Sequence, residues 1–268
     1  MKRLLIIAAV LISLVQVAFA HEFWLEPVAP RVASGGDIAV RARIGEMFEG
    51  HEVRNFASMQ RIVDLTLGDI TVPVQGEEMQ SPAFQARSLG DGLHVLRYQS
   101  RDNQLTYDDY KKFTDFLVEA DRLDLIEAHD ARGLSRENIR EVYFRYAKTL
   151  IAVGSGEGDD KYLGMPLELV ALTNPYAGLG DNPMRFQLRF LDAPQADAAL
   201  HVFIRPAAGD VVSLKLRTNA NGEVEVPTDI AGSYMVNAIH VLPASPRMEM
   251  LLGAAWQSLW ASSTYAVE

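Results

Sequence analysis

Val211-Val212-Ser213-Leu214-Lys215-Leu216-Arg217, Asn219-Ala220-Asn221-Gly222 and Glu223-Val224-Glu225-Val226 divide residues 211–226 into two alternating runs around a turn signal. Alternation of apolar and polar residues places one set of side chains on each face of a strand. Asn followed by Gly suits the positive φ angles of a tight turn, so the stretch predicts a β-hairpin. Working outward, strand-like runs flank it: Leu167 to Leu172, Met184 to Phe190, Leu200 to Ile204, Ser233 to Val241 and Trp256 to Val267. Seven short strands in about a hundred residues predict an antiparallel sandwich of immunoglobulin-like or transthyretin-like type.

The earlier part of the chain carries the same signal. Asp37 to Ile44, Arg61 to Leu67 and Ile70 to Val74 read as strands, and Leu93 to Tyr98 follows the Gly90-Asp91-Gly92 turn. The period then changes. Tyr107, Tyr110, Phe113, Phe116 and Leu117 recur at helical spacing, and a second helix is expected from Ser135 as N-cap, with Ile139, Val142, Tyr143 and Tyr146 on one face. Both aromatic stripes are expected to pack on a sheet. Gly154-Ser155-Gly156-Glu157-Gly158-Asp159-Asp160 reads as a flexible, solvated linker between two β domains.

Before all of this stands a leader. Lys2 and Arg3 are basic, Leu4 to Val15 is mostly apolar, and Ala18-Phe19-Ala20 has the small-x-small form of a cleavage site. The expected organisation is a signal peptide over 1–20, a β domain over 21–160 with a helical insertion at about 107–150, and a β-sandwich over 161–268. Export follows, and His21 becomes the first residue of the mature chain.

The leader holds two of the 25 basic residues and none of the 35 acidic ones, which leaves 23 against 35, a formal charge of −12. Such a surface repels nucleic acid and anionic lipid and enriches cations. There is no cysteine, so disulfides, thiolate metal sites and thiol nucleophiles are excluded, and a metal must be held by nitrogen and oxygen donors, with Met sulfur as the soft option. No Gly-x-Ser-x-Gly elbow, His-Glu-x-x-His pair or phosphate-binding glycine pattern is present, so the case for an enzyme is weak.

A free amino-terminal histidine offers two nitrogens from one residue, because its α-amine and ring Nδ1 close a six-membered chelate around a metal ion. Imidazole suits nickel, copper, zinc and iron. Of the other histidines, His240 sits on the same strand face as Tyr234, Val236 and Ala238, near the strand end. His51 lies in a loop-like stretch with Glu46 and Glu49. His94, His129 and His201 receive no role, and Met248-Glu249-Met250 reads as a surface loop. Three functions stay open: a metal-binding protein, a copper redox protein with a histidine brace, and a metal-independent binding module using exposed aromatics.

Several motifs together resemble the DUF4198 family over essentially the whole mature chain: His21-Glu22-Phe23-Trp24-Leu25-Glu26-Pro27, Gly45-Glu46-x-Phe48-x-Gly50, Arg145-Tyr146-Ala147-Lys148, Gly164-x-Pro166-Leu167-Glu168-Leu169-Val170, Ala238-x-His240 and Trp256-x-Ser258-Leu259-Trp260-Ala261-Ser262. The resemblance implies a periplasmic accessory of cobalt and nickel uptake, with a membrane metal-uptake transporter as partner and a divalent transition metal, nickel or cobalt, as cargo; copper is the alternative that the opening histidine by itself allows. It implies His21 and His240 as ligands, and the expected site is completed by Glu46 or His51. The position after Gly45 can be His in relatives, so Glu46 exchanges a nitrogen donor for oxygen.

Overall fold

The computed structural model describes residues 22–180 and 182–268. The leader and His21 lie outside the described residues. In chain order the strands are β1 (Glu22–Pro27), β2 (Arg31–Val32), β3 (Asp37–Glu46), β4 (Glu49–Val53), β5 (Gln60–Leu67), β6 (Ile70–Pro73), β7 (Phe84–Arg87), β8 (Gly92–Ser100) and β9 (Asn103–Tyr107). Helices α1 (Tyr110–Glu119) and α2 (Asp124–Ala131) follow, then β10 (Ile139–Val153), β11 (Leu167–Ala171), β12 (Met184–Phe190), β13 (Ala193–Pro194), β14 (Ala199–Pro206), β15 (Val212–Arg217), β16 (Glu223–Val226) and β17 (Gly232–Pro243). Helix α3 (Pro246–Leu252) and β18 (Trp256–Val267) complete the described chain.

Ten strands form one sheet, ordered β15-β14-β17-β18-β10-β8-β5-β6, with β2 and β9 pairing the two ends of β10. Two four-stranded sheets cover it on opposite faces. Ala147, Ile151 and Val153 of β10 meet Phe23, Leu25, Val40 and Phe84 of the sheet β1-β3-β4 with β7, whereas Tyr146, Leu150 and Ala152 meet Leu167, Leu169, Phe186 and Val224 of the sheet β11-β12-β13 with β16. The alternation of side chains along one strand therefore serves two separate cores. The chain is an antiparallel β-sandwich with a two-helix insertion, as the strand count predicted. Strand β10 and β18 pair in parallel from Glu141↔Trp256 to Thr149↔Thr264, so the central sheet runs through both halves of the chain.

Three expectations are corrected. The runs at 211–217 and 223–226 are strands, and the turn between them closes, with Gly222 N donating to Asn219 O at 2.9 Å. They do not form a hairpin: β15 pairs β14 in the central sheet and β16 pairs β12 in the covering sheet. Leu214 and Leu216 from the central sheet and Val224 and Val226 from the covering sheet then face one shared core. The helix expected from Ser135 is strand β10, while the second helix lies earlier, at Asp124–Ala131. From Arg145 to Val153 every residue of β10 is buried, so its apolar residues satisfy a helical and a strand period at once, and only the two covering layers decide between them. The stretch 154–160 is not solvated throughout, because Asp160 is buried and bonded to Lys148.

The helices cap the face that carries β1. Tyr107, Phe113, Phe116 and Leu117 pack on Trp256 and Trp260 of β18, and Asp109 caps α1 by accepting from Lys112 N at 2.9 Å. His129 is fixed in this layer. Its Nε2 donates to Ser135 O at 2.9 Å and its Nδ1 accepts from Trp256 Nε1 at 3.0 Å, so both ring nitrogens are used in holding α2 on the sheet.

Candidate functional site

The first described residue, Glu22, opens β1, which pairs β3 in the register Glu22↔Gly45 to Pro27↔Val40. Phe23 and Leu25 enter the core beneath the covering sheet, so Glu22, Trp24 and Glu26 take the other face. Trp24 is buried there among Phe48, Phe203 and Met235. Glu26 is bound by Arg43 at 3.2 Å and Arg205 at 3.0 Å.

Strands β3 and β4 are joined by the two-residue turn Met47-Phe48, with φ of 50° and 63°. Left-handed backbone costs a residue with a side chain about 1–2 kcal/mol. Phe48 offsets this by burial: its ring stands edge-on to Trp24 at 5.4 Å and beneath the Arg205 guanidinium at 4.4 Å, and fully burying such a ring is worth roughly 1.5–3 kcal/mol. The paired glycines let the strands approach below the turn. A Cβ on Gly45 would lie 1.9 Å from Glu49 O. Gly45→Ala is therefore expected to destabilise the fold by about 1–3 kcal/mol and to displace Glu46, as a lowered urea midpoint and altered amide shifts at residues 44–50 would reveal.

Glu22, Glu46, Met47, Glu119, His201, Phe203 and Ser213 line one cavity of about 380 Å³. Four separate parts of the fold supply it: β1, the β3–β4 hairpin, the carboxyl end of α1, and β14–β15. The end of α1 is held in place by Asp121, which pairs with Arg217 and, at 2.6 Å, with Lys215. His201 Nε2 lies 3.1 Å from Glu119 O. A carbonyl only accepts, so Nε2 carries the proton and the Nδ1 lone pair is left for another partner.

Burial dominates the electrostatics. It raises the Glu22 carboxyl to about 7, assisted by the charge of Glu46 and opposed by hydrogen bonds from the backbone at Glu22 and Met47. Burial also raises Glu119 to about 7, with Glu22 and Glu46 adding to the shift. His201 is pushed down, first by burial, with Lys215 adding and the Glu119 carbonyl and Asp121 opposing. The cavity thus concentrates carboxylates that repel one another and a neutral imidazole, an arrangement that a cation relieves.

Of the residues singled out from sequence, Glu46 lines this cavity. His51 is exposed on β4, opposite Ile44, and is not part of the lining. His240 faces the other side of the central sheet with Ala238, its ring 4.2 Å from that of Phe190, and burial lowers it to about 4, with Arg122 adding to the shift. Strand alternation thus separates His240 from Glu46. Sequence reasoning missed Glu22, Glu119 and His201 as members of one site. Glu22 stood in the opening motif, but nothing local links it to residues about a hundred and two hundred positions away. Among the described residues no three His, Asp or Glu side chains converge closely enough to hold a metal ion by themselves.

The profile of a domain of unknown function, DUF4198, matches residues 18–242. The chain belongs to the DUF4198 family. Its quoted motifs now have structural meanings. Gly45-Glu46-x-Phe48-x-Gly50 is the cavity hairpin, Lys148 and Glu168 of two separate motifs form one buried ion pair, and Ser258 bonds Glu141 while accepting from Trp260 Nε1. No curated protein matches this DUF4198 chain. Among solved structures it is similar to a tetra-tandem repeat in the extending region of a large adhesion protein, at 10% identity and a TM-score of 0.24, with 93% of this chain and 50% of that chain covered. It is also similar to Escherichia coli alpha-2-macroglobulin activated by porcine elastase, at 12% identity and a TM-score of 0.22, covering 93% of this chain and 20% of that one. The chain spans half or less of those proteins, and at such scores neither likeness carries an argument.

Proposed function

We propose that this DUF4198 chain is an exported binding protein for a divalent transition metal, nickel or cobalt, which it presents to a membrane uptake system. The observation that carries the reading is the cavity that Glu22, Glu46, Glu119 and His201 line beside the start of β1. Cleavage after Ala20 would free the amine of His21, the residue that precedes Glu22 in the chain. The described donors are too dispersed to form a metal site alone. Their chemistry nevertheless fits a borderline divalent ion once His21 adds its amine and imidazole: carboxylate oxygens, one further imidazole, and the Met47 thioether at the rim. In this reading His21 holds the metal first, Glu46 and Glu22 neutralise its charge, and His201 is oriented by its bond to the Glu119 carbonyl, as outer partners commonly orient ligating histidines. His240, on the far face, has no part in this site.

The test is calorimetric titration with nickel, cobalt, copper and zinc on two preparations, one starting at His21 and one extended by an amino-terminal Gly. Binding by the processed form is expected to weaken at least about tenfold in the extended form, because the amine ligand is lost. Equal binding in both, or none in either, would sink the proposal, and a clear preference for copper would replace nickel or cobalt delivery by copper chemistry.

A further inference from the structure

Lys148, Asp160 and Glu168 are brought together in the interior, each with a side-chain exposure of 0%. Lys148 stands midway along β10, opposite Ser263 of β18. Its Nζ lies 2.7 Å from Asp160 Oδ1, 2.8 Å from Oδ2 and 3.0 Å from Glu168 Oε1, and it also donates to Lys161 O at 3.1 Å. Both carboxylates are fixed by backbone amides. Asp160 accepts from Lys161 N and Ala171 N, each at 2.8 Å, and Glu168 accepts from Leu163 N at 2.8 Å and Met165 N at 2.9 Å.

A buried ion pair is an expensive way to hold two strands together, because desolvation of the charges can exceed their attraction. Here two carboxylates face one ammonium. The same geometry allows a cheaper end state, since an amine held against a carboxyl group with water excluded is poised for condensation. The chain has no cysteine, so any covalent tie in an exported fold must come from other side chains.

We propose that Lys148 and Asp160 condense in the folded chain to an intramolecular amide, with Glu168 as the base that assists the step. A proton passes from the ammonium to Asp160 within the buried pair, giving a neutral amine and a neutral acid. Burial favours that form and holds the Asp160 carboxyl above its usual range, although Lys148 opposes the shift. The lone pair of Nζ then forms the bond to Cγ of Asp160, while Glu168 takes the proton released from nitrogen. Ala171 N–H, already on Oδ2, stabilises the negative charge that develops on that oxygen. Collapse expels the other oxygen, which leaves as water with the proton returned by Glu168. One C–N bond forms, one C–O bond breaks, nothing is oxidised, and no cofactor enters. The amide N–H of the product can still donate to Glu168. The bond would tie the 154–166 crossover to the centre of the main sheet.

The test is the mass of the folded, full-length chain and of its proteolytic peptides. The chain is expected to be lighter than its sequence by one water, with the Lys148 peptide joined to the Asp160 peptide. Glu168→Ala is expected to restore the full mass. Because that variant also removes a buried partner and can unfold the chain, Asp160→Asn is the second variant: the same attack on its amide expels ammonia, so the chain should be lighter by one ammonia and carry the same junction. A folded wild-type chain of unaltered mass overturns the proposal, as does a junction at Glu168 in place of Asp160.

Discussion

Lys148→Met is expected to cost about 3–5 kcal/mol of stability relative to the chain before Lys148 and Asp160 condense, the usual penalty when one partner of a buried ion pair is removed and the other charge is stranded. The interior around Lys148 holds two acids, Asp160 and Glu168, and the ammonium is the cation paired with both. Met matches the length of the Lys stem, so the loss reports charge and hydrogen bonding more than volume. Two backbone N–H groups on each carboxylate soften the penalty without replacing the cation. Urea unfolding of the variant and of wild-type chain at full, uncondensed mass measures it, and a loss under about 1 kcal/mol would show that the carboxylates tolerate isolation. Neutralising the acids as well, in Lys148→Met with Asp160→Asn and Glu168→Gln, should recover part of the loss, because the three residues act as one network.

Glu141→Gln is expected to do the opposite and stabilise the chain at alkaline pH. Glu141 is buried with its oxygens on Tyr107 OH at 2.6 Å and on Ser258 Oγ, inside the aromatic layer that docks the helices. Burial raises its carboxyl to about 7, against the opposing hydrogen bonds from Ser258 and Tyr107. A folded-state value above the unfolded one means that the native chain binds the extra proton. Its contribution is fully present below the unfolded value of 4.5 and is lost as pH rises through 7. At about 1.4 kcal/mol per unit, the loss is on the order of 3 kcal/mol by pH 8. Gln resembles the protonated acid, with its Oε1 accepting from Tyr107 and its Nε2 donating to Ser258. Stability followed from pH 5 to 8 should fall in the wild type and stay flatter in the variant, the two curves separating as pH rises towards 7 and running parallel above it. Curves parallel between pH 5 and 7 would show that Glu141 is ionised in the folded chain without penalty.

The buried cluster of Lys148, Asp160 and Glu168 also marks where reading the sequence stops. Lys148 and Glu168 stood in motifs that carried the family resemblance, yet neither motif says that they touch. The 154–160 stretch reads as solvated because five of the six residues before Asp160 are Gly or acidic, and the long-range bonds to Ala171 N–H and Lys148 make Asp160 an interior residue. The candidate site shows the same division. Glu46 was visible as a carboxylate in a glycine-bounded turn, whereas Glu119 and His201 became partners through the docking of α1 on β14.

Alternation by itself determined that this is a mainly β chain with a short helical interruption, and composition determined that it has no thiol chemistry and a net negative charge. Those are local or summed properties, and they survive whatever the strands pair with. The partner of each strand was decided in three dimensions. The runs at 211–217 and 223–226 part into different sheets, 139–153 becomes a strand because layers cover both its faces, and His240 turns away from the cavity because side-chain direction along β17 reverses at each residue. Such choices depend on which apolar faces find cover at long range, a quantity no single window of sequence contains.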